Sequence, residues 1–186
     1  MEHREATVTP LTEIHSLKAE EWEAYREIRL RSLSQDPEAF GSTFEKENAF
    51  PADFWQTRVA DGARLPHAHP IVARTGDAWV GLSWGWIHPD EPTIAHLFQM
   101  WVAPEARGRG VARMLVDSVI EWARVRGAAK LLLGVTVGDT PARRLYERVG
   151  FVPDGSPIPL RPGGELLEQP MVLRLEPTDR LPRSRS

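Results

Sequence analysis

Apolar residues recur along this chain with two periods, and the points where the period changes divide it into elements. A short strand is expected near Ala6–Leu11. From Ser16 to Ser34, Leu17, Trp22, Tyr25, Ile28, Leu30 and Leu33 fall at helical intervals. Asp36-Pro37 stops that helix, because the residue before a proline is turned away from helical dihedrals. Pro51, a favoured first-turn residue, starts a second helix carrying Phe54, Trp55 and Val59. Three runs rich in β-branched and aromatic residues follow: PIVART, AWVGLSWGWI and TIAHLFQMWV. Gly76-Asp77 joins the first two and Pro89 and Pro92 interrupt before the third, which predicts an antiparallel meander. Strict alternation in the third run puts His96, Phe98 and Met100 on one face and Leu97, Gln99 and Trp101 on the other.

Gly108 to Arg126 is a long helix with Val111, Leu115, Val119 and Trp122 along one side, ended by Gly127. KLLLGVTV then has the unbroken apolar character of a central strand covered on both faces. A shorter helix over Thr140–Val149 closes at Gly150, and strands follow near Phe151 and Met171–Leu175. Alternating strands and helices of this kind predict an α/β (α+β) domain built on a mixed sheet.

Length and composition narrow the function. The 186 residues, 41% of them hydrophobic and 26% charged, suit a single domain over residues 6–175, with polar residues 1–5 and the Pro/Ser/Arg-rich 176–186 expected as flexible ends. With no cysteine, thiol nucleophiles, cysteine-type zinc sites and disulfides are all excluded, and a cytoplasmic location is expected. A net charge of −3 argues against a nucleic-acid partner, and no apolar run reaches the ~20 residues of a membrane span. No metal site is expected.

The segment that carries chemistry is VAPEARGRGVARMLV, Val102 to Val116. Gly108 and Gly110 stand at a strand-to-helix junction, where glycine lets the backbone approach a ligand and the first free N–H groups of the helix attract an anion. A Walker loop is absent, and the dinucleotide fingerprint fails because its third glycine is replaced by Arg113. The order Arg107, Gly108, Arg109, Gly110, Val111, Ala112 fits Q/R-x-x-G-x-G/A instead. Downstream, DTPARRLYERVGF is similar to N-x-x-A-x-x-L-Y-x-x-x-G-F, matching at Ala142, Leu145, Tyr146, Gly150 and Phe151. On these two motifs the chain resembles the GNAT superfamily of N-acetyltransferases.

That resemblance implies a mostly antiparallel twisted sheet of about six to seven strands with about four helices, and acetyl-coenzyme A as acetyl donor. It places the pyrophosphate on Arg107, Gly108, Arg109, Gly110, Val111, Ala112 and Arg113, and the thioester and pantetheine along Met100, Trp101 and Val102. Asp139 stands where the family usually has asparagine. An ionised aspartate accepts hydrogen bonds but donates none, which suits a helix cap better than a cofactor contact. Tyr146 is nominated as the acid that protonates the departing thiolate, and His96 as the base that deprotonates the amine, with Glu45 or Glu47 acting through water as alternatives. A covalent route would want a cysteine, so direct attack by the amine is expected.

Asp36 to Asp61 holds six acids against Lys46 and Arg58, which would draw a cationic amine. Phe40, Phe44, Phe50, Phe54 and Trp55 either line an acceptor pocket or pack the helices. Three readings follow: a small cationic amine as acceptor, a protein N-terminus or lysine, or a non-catalytic acyl-coenzyme A sensor. A homodimer is compatible with all three.

Overall fold

A computed structural model describes residues 11–176. The expected strand at Ala6–Leu11, apart from Leu11 itself, and the expected flexible ends other than Glu176 lie outside the described residues. The chain runs β1 (Thr12–Ser16), α1 (Trp22–Gln35), α2 (Phe44–Asn48), α3 (Ala52–Arg64), β2 (Ala68–Thr75), β3 (Ala78–Ile87), β4 (Ile94–Val102), α4 (Val111–Val125), β5 (Lys130–Thr136), α5 (Pro141–Val149), β6 (Val152–Pro153), β7 (Ile158–Pro159) and β8 (Leu167–Arg174). The sheet order is β1-β2-β3-β4-β5-β8-β6, with β7 also paired to β8.

Every neighbouring pair is antiparallel except β4 with β5, which is parallel over only three register pairs, from Ile94↔Lys130 to His96↔Leu132. Beyond those pairs the two strands part. Helix α4 covers one face of the sheet. Gly81 and Gly85 of β3 make room for it: a Cβ at Gly85 would lie 2.9 Å from the Trp122 ring, and one at Gly81 would lie 3.0 Å from Leu115. The expected α4 face is real, with Val111, Leu115 and Val119 buried, and Gly127 ends the helix region with a φ of 80°.

Helices α1 and α3 cover the opposite face. Tyr25 of α1 meets Trp84 and Trp55 edge-to-face at ring-centroid distances of 5.7 and 6.1 Å. Gly62 of α3 closes on Trp84, where a Cβ would lie 2.5 Å from the indole. Trp55, Val59 and Leu33 are fully buried between them, and truncating one such side chain would cost roughly 2–5 kcal/mol.

The structure corrects several sequence-based expectations about elements, among them the last strand, which starts at Leu167. Helix α1 starts at Trp22, after a 3₁₀ turn over Ala19–Glu21. The apolar run of β5 is not covered on both faces: Leu131, Leu133 and Val135 are buried, whereas Gly134 is exposed and lines the opening beside β4. Most consequential is β4, where alternation breaks. Gln99 has a φ of +55° and the β3–β4 register slips between Leu82 and Trp84, which is a β-bulge. One inserted residue returns Trp101 to the face of His96 and Phe98, as their cross-strand partners Leu82, Trp86 and Trp84 require.

Candidate functional site

The parting of β4 and β5 opens a cleft of about 1890 Å³ between the sheet, the α1–α3 face and the start of α4. At one end is the glycine turn. Gly108 and Gly110 have φ of 74° and 79°, and a Cβ on either would meet nothing within 4 Å. Glycine is required there by backbone conformation, and the space beside it is open. Gly110 caps α4 without any side-chain hydrogen bond, so the N–H groups of Val111, Ala112 and Arg113 are free at the positive end of a 15-residue helix. The first intrahelical bond runs from Met114 N–H to the Gly110 carbonyl. All three free groups belong to residues lining the cleft, so the turn suits a diphosphate approaching along its floor.

The arginines of this turn divide. Arg107 is braced: Nε donates to the Val102 carbonyl at 2.9 Å and Nη2 donates to Asp36 Oδ2 at 2.6 Å. Arg113 lines the cleft, with Nε held by Asp117 at 2.8 Å. Arg109 does not line the cleft, whereas Arg148 of α5, which sequence reasoning passed over, does.

Along β4 the backbone faces the opening. Ala103 N–H donates to the Val80 carbonyl, so strand alternation turns the N–H groups of Val102 and Met100 away from β3 and into the gap left by β5. The brace from Arg107 onto the Val102 carbonyl, on that same side, agrees. Trp101 is different. Its backbone faces β3, and its buried indole donates Nε1–H to Asp36 Oδ2 at 2.6 Å.

Tyr146 reaches the cleft from α5, is only 4% exposed, and packs edge-to-face on Phe151 at 5.7 Å. Burial raises the pKa of its phenol, which stays a proton donor across the physiological range. Helix α5 is capped by Thr140, whose Oγ1 accepts from Arg143 N–H at 3.1 Å. The expected capping role of Asp139 is therefore corrected: Asp139 takes Arg144 at 2.6 Å, is 83% exposed, and does not line the cleft.

His96 lies where the parallel pairing ends, stacked on Phe98 at 5.6 Å. Its pKa is lowered, first by burial and then by Lys130 and His88, with Glu91 opposing. It is neutral at physiological pH and able to accept a proton. Of the alternative bases, Glu45 does not line the cleft. Glu47 does, but it is locked to Arg29 by hydrogen bonds of 2.9 and 2.6 Å. Burial pushes its pKa up and the Arg29 guanidinium more than reverses this, leaving a carboxylate held below its usual range. Such a carboxylate is a poor base. Glu168 of β8 was missed: it lines the cleft over Gly134, whose added Cβ would lie 2.4 Å from Oε2, and burial raises its pKa.

The acidic stretch is less free than its charge count implies, since Asp36 and Glu47 are each committed to an arginine. Among its aromatics, Phe40 lines the cleft under Arg29, Trp55 is fully buried, and Phe50 packs on Phe54 at 4.2 Å.

Residues 14–151 match the Acetyltransferase (GNAT) family, and the chain belongs to that family of acyltransferases. It is 30% identical over 128 residues, 69% of its length, to a mycothiol acetyltransferase of Thermomonospora curvata, covering 39% of that protein. The chain spans less than half the length of the mycothiol acetyltransferases it matches. Among solved structures, a GNAT-family acetyltransferase from Streptococcus pneumoniae superposes with a TM-score of 0.75 at 18% identity, over 89% of this chain and all of the other. A Salmonella typhimurium structure described with its cofactor acetyl-CoA gives a TM-score of 0.73 at 18% identity, over 92% and 98% of the two chains. No helix among the described residues is long and apolar enough to cross a membrane.

Proposed function

We propose that this chain is an N-acetyltransferase that moves the acetyl group of acetyl-coenzyme A onto a small primary amine, arriving as an ammonium cation, by direct attack in a ternary complex. One observation carries the reading: the uncapped glycine turn of α4, the outward N–H groups of β4 and the Tyr146 phenol all open onto one cleft. Gly108 and Gly110, with the N–H groups of Val111, Ala112 and Arg113, would hold the diphosphate of the donor, and Arg113 and Arg148 add positive charge. When bound, the donor supplies a thioester carbonyl and a thiol leaving group.

An alkylammonium has a pKa near ~10 and must lose a proton before it can attack. Neutral His96, at the mouth of the β4–β5 opening, takes that proton. The N–H groups of Met100 and Val102 donate to the carbonyl oxygen as it gains charge, a kind of contribution typically worth about 3–4 kcal/mol per donor. Tyr146 would deliver its proton to the sulfur as the C–S bond breaks, and the second proton, released by the nitrogen as the amide forms, would return to the phenolate. Acids along the cleft, Glu38, Glu91 and Glu168, favour a cation at its acceptor end.

The test is a screen of amines, followed by release of coenzyme A. Turnover of small amines supports the proposal. Turnover of peptides alone would move the acceptor to a protein amine, and tight acetyl-coenzyme A binding without any turnover would make the domain a sensor.

A further inference from the structure

Arg58 projects from α3 into the acceptor end of the cleft, its guanidinium 5.1 Å from the Trp84 ring and 6.0 Å from that of Phe54. The two aromatic faces fix its direction. Among the described residues it has no ion pair, its one polar side-chain neighbour is the Tyr25 hydroxyl, and its buried Nε has no partner. The acid one turn away on α3, Asp61, pairs with Arg64 instead. Arg29 stands nearby on α1 and is only 3% exposed. Its Nε and Nη2 are taken by Glu47, but Nη1 is buried with no partner. Both guanidinium charges act on the Tyr25 hydroxyl and on Glu47, which places the four groups together.

Two guanidinium groups against one carboxylate leave one positive charge half out of water, with donors unused. Charges in such places are normally paired. A guanidinium fork matches a carboxylate in shape as well as charge. We propose that Arg58, backed by Arg29, is the seat for an anionic group on the acceptor, so that the acceptor is an amine that also bears a carboxylate, as an amino acid does. The amine and the anion then have separate places, since Glu91 and Glu168 line the same cleft. The inference rests on the cleft being the acceptor site of an acetyltransferase.

The test is calorimetric titration of the full chain, with and without coenzyme A, using N-acetyl amino acids that span the side-chain classes and the matching carboxamides. At least one acid should bind about tenfold or more tightly than its amide, a difference of about 1.4 kcal/mol. Arg58→Gln should abolish that preference and leave coenzyme A affinity unchanged, while Arg58→Lys, which keeps the charge and loses the fork, should retain only part of it. Acids that bind no better than amides overturn the proposal. So does a preference that survives in Arg58→Gln, or, should that variant not fold, one undiminished in Arg58→Lys. Failure of coenzyme A itself to bind would instead overturn the acetyltransferase reading, and the titrations on the free chain would still decide the anion seat.

Discussion

Asp36 and Arg107, 71 positions apart, meet at 2.6 Å, and the oxygen that takes the guanidinium also takes the Trp101 indole N–H at 2.6 Å. This one carboxylate ties the end of α1 to β4 and to the entrance of the glycine turn. Asp36→Asn keeps the shape but removes the charge and leaves Arg107 free to swing. Hydrogen bonds to charged groups contribute about 1.5–3 kcal/mol when shielded, and partial exposure here brings the expected loss to about 1 kcal/mol. The melting temperature should fall by ~2–4 °C, and the KM for acetyl-coenzyme A should shift several-fold with kcat little changed. Unchanged thermal stability would mean that the contact is not a brace.

Tyr146→Phe removes one oxygen from a buried site. A positioned general acid contributes roughly 10²–10⁴-fold, so kcat should fall by at least about 10²-fold while acetyl-coenzyme A binding, read by calorimetry, stays within twofold. Because burial raises the phenol's pKa, any alkaline fall in the wild-type rate below its ordinary value of 10 belongs to another group and should persist in the variant. Unaltered kcat would remove Tyr146 from the reaction.

Glu47→Gln leaves Arg29 buried without its charge partner. Breaking a buried pair from one side costs about 3–5 kcal/mol, so the midpoint of urea unfolding should drop clearly, with the m-value unchanged. The pH profile of the remaining activity should keep its shape, since Glu47, committed to Arg29, is not the proposed base. A lost acidic limb would reverse that assignment.

The His96 imidazole, its pKa pushed below 6.5 by burial, is neutral at pH 7 and protonated only on acidification. An imidazole must be neutral to act as a base, so kcat/KM should be flat near pH 7 and decline below 6.5. In His96→Ala the rate should fall about 10²-fold and that acidic decline should vanish. An acidic limb identical to wild type would clear His96 of the role and turn attention to Glu168.

Local demands were legible in the chain, and long-range ones were not. The turn at Gly108 and Gly110 shows in the sequence because positive φ is a demand that each residue makes alone. Tyr146 was found through the motif shared with the family. The bulge at Gln99 left no such mark, since a non-glycine residue at φ +55° is held there by its surroundings, including the Tyr25 hydroxyl that donates to its side chain. Glu168 was missed because the last strand was expected only from Met171, whereas β8 starts at Leu167 and carries Pro170 within it. The pairings of Asp36 with Arg107 and Arg29 with Glu47 join separate parts of the chain, so charge counting took for free acids what the fold commits.

His69 gives the fold its own pH dependence. It sits on β2, stacked on Trp122 at 5.4 Å with a 6° angle between rings, and its Nε2 lies 3.3 Å from Ser118 Oγ. Burial first, and then the charge of Arg126, lower its pKa from 6.5 to about 4. Between those values the unfolded chain binds a proton that the folded chain refuses, so stability falls as pH falls through this window and is flat above it. At about 1.4 kcal/mol per pH unit the ceiling is about 3 kcal/mol, and partial exposure reduces the expected loss to about 2 kcal/mol. Urea unfolding of the wild type should therefore lose that much between pH 7 and pH 4, beyond the change in His69→Asn, which cannot titrate there. Parallel stability curves for the two proteins would show that His69 is protonated as readily in the folded state as in the unfolded one.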